Sequence, residues 1–244
     1  MCSSDLIAAR GLRTVKGNLI ADDTYFVHQP YGMGWEHDDL TWLSAAPASA
    51  LAINDNVLFL SVFPGAAGEA AVIEEVPMTG YYALDNRALT VPRTVTAPGG
   101  GMRRTRRSLG LGREPGSMRM MVWGEIPEGA AESSYAVALE DPPLFAGEYL
   151  RRELASRGVM VQGRVVVRRL EPMDVDDLTG APRAPQAEAQ EGGSGAVLAE
   201  HESQPLAVSL RAMLKVSQNL HAEMLLRTLG KELRGVGSAE AGLA

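Results

Sequence analysis

The chain holds one cysteine, Cys2, so no intrachain disulfide can form and no thiol cluster can bind a metal. That fits the cytosol, and equally an exported protein that never relied on disulfides. No run of eighteen apolar residues occurs, which excludes a membrane-spanning helix. The start, Met1-Cys2-Ser3-Ser4-Asp5, lacks the basic and apolar regions of a signal peptide. Lysine is scarce, with Lys16, Lys215 and Lys231 alone. Bases are outnumbered by acids, and the net charge of -7 argues against nucleic acid as the main partner. His28, His37, His201 and His221 are scattered, without helical metal spacing. Asp174, Asp176 and Asp177 hint at a calcium loop, but Leu178 falls where a ligand belongs. Gly99-Gly100-Gly101 lacks the Gly-Lys-Ser ending of a phosphate cradle. No metal and no cofactor is expected.

What remains is a globular composition, 45% apolar and 22% charged, in 244 residues, a length that favours two units over one. Gly11 to Asp22 alternates and is β-branched, with Gly17-Asn18 at a tight turn. The stretch Tyr31 to Leu40 is aromatic, glycine-rich and acidic, hence a loop. Ala48 to Ile53 and Val57 to Val62 are expected as two strands joined by a hairpin at Asn54-Asp55-Asn56. Further strands are expected at Ala71 to Val76, Tyr81 to Leu84, Ala88 to Val91 and Met118 to Trp123, making Ala45 to Glu140 a β-rich subdomain. Inside it, Ala97 to Ser117 carries Arg103, Arg104, Arg106, Arg107 and Arg113 against Glu114 and is expected to be a solvated loop, since no aromatics are interleaved.

Asp141-Pro142 is an N-cap followed by the favoured first-turn proline, opening a helix that runs to Arg157 and stops at Gly158. Val159 to Leu170 then alternates as one strand. This α-β pair breaks with the preceding β run and sets a boundary near Asp141. Glu171 to Gln204 carries eight acids against Arg183, and its Ala/Pro/Gln/Gly-rich middle, Gly180 to Gly195, is expected to be a mobile loop.

The strongest chemical signal is late. Lys215-Val216-Ser217-Gln218-Asn219 places a hydroxyl and a carboxamide two residues apart, with an ammonium two residues before. Leu206, Leu210, Met213 and Leu214 line one helix face before it, and Val216, Leu220 and Met224 repeat at four after it. The motif is therefore expected at a turn between two buried helices, the second stopped by Gly230. Ser-x-Asn is one of three short motifs that build the active site of serine β-lactamases and penicillin-binding proteins. Serine and asparagine are also good helix caps, so the triplet alone does not decide.

Taken together, the segments resemble the D-alanyl-D-alanine carboxypeptidase/endopeptidases among low-molecular-mass class C penicillin-binding proteins. The matching stretches are Gly34 to Leu40, Ala46 to Leu51, Asn54-Asp55-Asn56-Val57, Asp141-Pro142, Leu198 to Leu206 and Lys215 to Glu223, in family order over Gly11 to Gly230. Family members commonly carry Asp, Tyr and an aromatic where this chain has Gln218, His221 and His37. The resemblance implies an α/β (α+β) fold, a partial β-lactamase/transpeptidase-like core with two nested insertion domains, the inner one β-rich. Residues 1–10 would be a remnant of the core and 11–44 with 141–196 the outer insertion. Residues 45–140 would be the inner insertion, and 197–244 the core segment bearing Ser-x-Asn.

The resemblance also implies peptidoglycan stem peptides and β-lactams as partners, and a periplasmic or otherwise extracytoplasmic setting. Composition leaves the oligomeric state open. By resemblance, Ser217 relays a proton to the departing D-alanine, Asn219 holds the substrate backbone, Lys215 orients Ser217, and Asp38 approaches the amino end of the stem peptide. In this superfamily Ser-x-x-Lys supplies nucleophile and base, and Lys-Thr-Gly holds the substrate carboxylate. No serine here has lysine three residues on, and none of the three lysines opens Lys-Thr-Gly. An internal fragment of a longer enzyme, inactive by itself, is the expectation. The competing reading is a non-catalytic cell-wall or partner-binding module in which Ser217 only caps a helix. A class A β-lactamase fares worse, because it would keep Ser-x-x-Lys shortly before Ser-x-Asn.

Overall fold

The computed structural model describes residues 3–182 and 195–244. Cys2, Arg183, Glu188 and Glu191, and with them most of the loop expected at Gly180 to Gly195, lie outside the described residues. The chain divides into two compact units, one formed by 1–36, 47–56 and 141–244, the other by 37–46 and 57–140. In order, the elements are α1 (Ser3–Ala9), β1 (Thr14–Val15), β2 (Leu19–Val27), β3 (Val57–Phe63), β4 (Val72–Val76), β5 (Ala83–Val91) and β6 (Thr94–Thr96). There follow β7 (Met102–Arg104), β8 (Ser108–Gly112), β9 (Arg119–Pro127), β10 (Ser133–Ala138) and α2 (Pro142–Ser156). Last come β11 (Met160–Val161), β12 (Val165–Leu170), α3 (Leu206–Val216), α4 (Asn219–Arg234) and α5 (Ala239–Leu243).

The first unit is built on parallel pairs, β2 with β12 and β1 with β11. Helix α2 packs on them through Gly147, where an added Cβ would come within 2.4 Å of Val165 Cγ1. Asp141 caps α2 by accepting from the Leu144 amide at 3.2 Å, and its other oxygen takes Arg169 at 2.6 Å. Phe26, Val27, Phe145, Leu154 and Val159 close the core. Val159 to Leu170 is two strands rather than the single one expected. The break falls at Gly163, whose α-carbon lies so close to the Gly17 carbonyl that any side chain would collide with it.

Helix α4 also corrects an expectation, because it does not stop at Gly230. It runs on to Arg234 and ends on Gly235 at φ 85°. Gly230 is a packing glycine: a Cβ there would lie 2.7 Å from the Val236 carbonyl and 2.9 Å from Ala241 Cβ. Ser238 caps α5, accepting from the Ala241 amide at 3.0 Å, and the Val27 amide donates to Gly237 at 2.9 Å, tying this end to β2. Helix α3 differs from expectation as well. It was expected to be buried, yet none of its residues is; Leu206, Val208, Leu214 and Val216 all face solvent.

Two further features of this unit bear on the site. The stretch before β3 is not a hairpin. Ala48 to Ile53 forms no strand, and Asn54, Asp55 and Asn56 are three successive left-handed residues at φ 53°, 53° and 54°. Asp23 on β2 is buried and accepts from Ser49 Oγ at 2.8 Å and the Ala50 amide at 2.7 Å, which anchors residues 47–51. Burial raises its carboxyl pKa above the ordinary value, against the lowering effect of those two bonds.

A raised native pKa means that the folded state holds the proton more tightly than the unfolded one. Stability therefore falls as pH rises from about 4 through the native pKa. Asp23→Asn keeps an acceptor for both donors and should abolish that slope while leaving stability at neutral pH unchanged or higher. Urea midpoints measured across pH 4 to 7 check this, and an unaltered slope would refute it.

The second unit is β-rich. Strand β3 is flanked antiparallel by β10 and β4, and β9 is flanked by β5 in parallel and β8 antiparallel. Pleating sorts β9: Met120, Val122 and Ile126 are fully buried, while Arg119, Met121 and Trp123 take the other face. The regions Tyr81 to Leu84 and Ala88 to Val91 merge into the one strand β5, and β10 was not foreseen. Ala97 to Ser117 is not the solvated loop expected. It completes the β6–β7 hairpin and contains β8, whose glycines permit close packing. Arg107 donates to the Ala131 carbonyl and Ser133 Oγ, and the Arg113 side chain is buried against Glu140, while Arg103, Arg104 and Arg106 are exposed. Residues 37–46 belong here, held by the Ala138 amide donating to Thr41 at 2.9 Å.

Candidate functional site

Helix α3 ends because Ser217 takes the left-handed conformation, φ 55° and ψ 49°, as its C-cap, with the Ser217 and Gln218 amides both donating to Met213. Gln218 returns to extended backbone and begins α4. Its side-chain carbonyl accepts from the Leu220 amide at 3.2 Å, making Gln218 the N-cap. Gln218 is buried, whereas Ser217 and Asn219 are exposed on either side of it. The triplet thus alternates out, in, out. The carboxamide of Gln218 performs the capping that a carboxylate would. Ser217 is thus a helix cap, but of the end of α3 and not of the start of α4.

Lys215 lies exposed in the last turn of α3, where a cation complements the helix dipole. Lys215, Ser217 and Asn219 therefore share one corner between two helices. Left-handed backbone costs a non-glycine residue about 1–2 kcal/mol, and such strain collects where function requires it. Ser217→Gly should raise stability by about 1 kcal/mol while removing the hydroxyl. A denaturation midpoint that fails to rise would show the corner to be unstrained.

Two neighbours of the corner escaped sequence reasoning. Asp55, the middle left-handed residue, meets His221 Nε2 at 2.8 Å, on the first turn of α4. Two residues on, Glu223 accepts from Arg227 Nε at 3.0 Å and Nη2 at 2.8 Å. The Arg227 side chain is 1% exposed and its Nη1 has no partner. The 32–35 loop closes over this pair, with Gly32 so near that a Cβ would lie 3.0 Å from Glu223 Oε2 and 3.1 Å from the Trp35 ring. The Asp55–His221 contact alone links positions 166 residues apart, and Gly32 meets Glu223 from further still, which no local pattern reveals.

Asp38 is placed in the β-rich unit, in a short 3-10 turn (His37–Asp39), with its side chain fully exposed and His37 Nδ1 loosely beside it at 3.6 Å. Among the described residues, no group of three or more His, Cys, Asp or Glu side chains converges to hold a metal. No helix of the described residues is long and apolar enough to cross a membrane.

The mixed α/β architecture is that of the penicillin-binding protein and peptidase fold. The chain belongs to the D-Ala-D-Ala carboxypeptidase 3 (S13) family, whose profile matches residues 4–244. It is 33% identical over 243 residues to the D-alanyl-D-alanine carboxypeptidase of Actinomadura sp. (strain R39), covering 97% of this chain and 40% of that protein. It is 23% identical over 228 residues to the D-alanyl-D-alanine carboxypeptidase DacB of Haemophilus influenzae, covering 90% of this chain and 40% of that protein. The crystal structure of penicillin binding protein 4 (dacB) from Haemophilus influenzae superposes with a TM-score of 0.64 at 21% identity, over 94% of this chain and 45% of that one. The same protein complexed with a β-lactam gives 0.55 at 17%, over 94% and 43%. The chain thus spans about 40% of the curated relatives' length.

Proposed function

We propose that this chain supplies the Ser-x-Asn corner of a serine-type D-alanyl-D-alanine carboxypeptidase/endopeptidase that acts on peptidoglycan stem peptides and is acylated by β-lactams. The reading places the protein outside the cytoplasm, where that polymer lies. A serine oxygen supplied by a Ser-x-x-Lys segment adds to the carbonyl of the terminal peptide bond. The serine's proton passes through Ser217 Oγ to the leaving amine as the C–N bond breaks, and water then resolves the ester. Asn219 offers both an amide donor and a carbonyl acceptor to the substrate backbone. Lys215 orients Ser217, and Asp38 attracts the cationic amino end of the stem peptide.

The observation that carries this reading is the alternation at the corner. Ser217 and Asn219 are exposed, while Gln218 between them is buried and caps α4. A helix cap with no further task would not need a strained serine beside it.

The flanking reading frame is expected to encode Ser-x-x-Lys upstream and Lys-Thr-Gly downstream. With both present, the extended protein should be labelled by a fluorescent penicillin, and Ser217→Ala should slow that labelling about a hundredfold. Stop signals on both sides would instead leave a non-catalytic binding module, and labelling indifferent to Ser217 would remove Ser217 from the proton path.

A further inference from the structure

The β5–β9–β8 sheet has an outer face that the corner chemistry does not use. Strand register puts Arg87 opposite Trp123, Asp85 opposite Met121, and Trp123 opposite Gly110. Alternation puts Arg119, Met121 and Trp123 on that one face, since Met120 and Val122 are in the core. Gly110 and Gly112 leave the sheet bare there. A Cβ at Gly110 would stand 2.3 Å from the indole, so one face of Trp123 lies directly on glycine backbone. The ring is nonetheless 44% exposed.

It borders a cavity of roughly 880 Å³ lined also by Arg87, Arg113, Glu114, Arg119 and Met121. Asp85 holds the first and third of those arginines in place. Its oxygens accept from Arg87 Nε at 3.1 Å and Nη2 at 2.8 Å, and from Arg119 Nη2 at 2.7 Å. One carboxylate shared by two guanidinium groups leaves a net positive pair, each half or more exposed. Arg113 is 1% exposed and ion-paired to Glu140, yet its Nε has no partner.

We propose that this cavity binds a pyranose sugar carrying a carboxylate. A flat apolar platform open on one side suits the C–H face of a sugar ring. Hydroxyl groups around that ring need donors and acceptors together, which the arginines and Glu114 provide. Carboxylates pair with guanidinium by parallel hydrogen bonds, and orienting the forks in advance lowers the cost of binding. The site lies wholly within the β-rich unit and does not depend on the acyl-transfer reading.

The test follows the indole N–H resonances of the protein by NMR during titration with N-acetylmuramic acid and, separately, N-acetylglucosamine, which lacks the carboxylate. The Trp123 resonance should shift saturably with muramic acid, with Kd on the order of 1 mM. N-acetylglucosamine should bind about tenfold more weakly. Arg87→Gln with Arg119→Gln, both at exposed positions, should reduce muramic acid affinity to the N-acetylglucosamine level. Trp123→Ala should abolish both. If Trp123→Ala loses structure, the arginine double variant decides. No Trp123 shift, or equal affinity for the two sugars, overturns the proposal. Neither titration requires acylation, so a silent penicillin assay leaves this result standing.

Discussion

Arg227→Ala should destabilise the α/β unit by about 3–5 kcal/mol, the loss typical of removing one partner from a buried ion pair. The guanidinium is 1% exposed and Glu223 13%, so the surviving carboxylate would remain largely out of water. The two bonds it accepts from Arg227 would vanish together. The cavity left by a long side chain adds to the loss. Replacing both partners, Arg227→Met with Glu223→Leu, should cost far less, because no uncompensated charge remains. Denaturant unfolding of the single and double variants measures the difference. Equal losses for both would mean that packing, not charge, governs this position.

Asn56→Ala is expected to cost about 2–4 kcal/mol, from two hydrogen-bond partners left unsatisfied and a left-handed backbone imposed on alanine. Asn56 is fully buried at φ 54°, donates to the Pro47 carbonyl at 2.8 Å and accepts from the Ile53 amide at 3.2 Å. Asn56→Gly should fall between the wild type and Asn56→Ala, since glycine removes the backbone strain but not the bonding loss. The three-residue left-handed run also carries Asp55 to His221, so Asn56→Ala should disturb the Ser217 corner in amide chemical shifts. An Asn56→Gly variant as weak as Asn56→Ala would show that strain contributes nothing there.

How much of this was legible in the sequence depended on the range of the contact. Helix α2 was readable from end to end because Asp141, Pro142 and Gly158 act within a few residues of where they stand. The corner at Ser217 was readable as a turn between helices for the same reason. Which residue caps α4 was not, because Ser, Gln and Asn are all able to do it and only the backbone angles choose. Gly230 was misread as a stop because a glycine forced by close helix packing looks the same on paper as one forced by a left-handed turn. Asn54-Asp55-Asn56 has hairpin composition, but its left-handed residues answer to Pro47 and His221 rather than to a partner strand. Gly110 and Gly112 read as loop glycines in sequence, and their reason, the indole of Trp123, lies eleven or more residues further along the chain. The candidate residues of the corner could be picked out by motif, while Arg227, Asp55 and the Trp123 cavity answer only to tertiary neighbours.

Helix α3 has eleven residues and buries none of them. A helix that short holds together poorly in water by propensity alone. Its amides should exchange with solvent far faster than those of α4, which is packed through Leu220, Arg227 and Gly230. The hydroxyl of Ser217 would then be aimed from one firm side only, with the other side sharpening when something greasy settles on Leu206, Leu214 and Val216. Order at this corner would be a matter of assembly, acquired last.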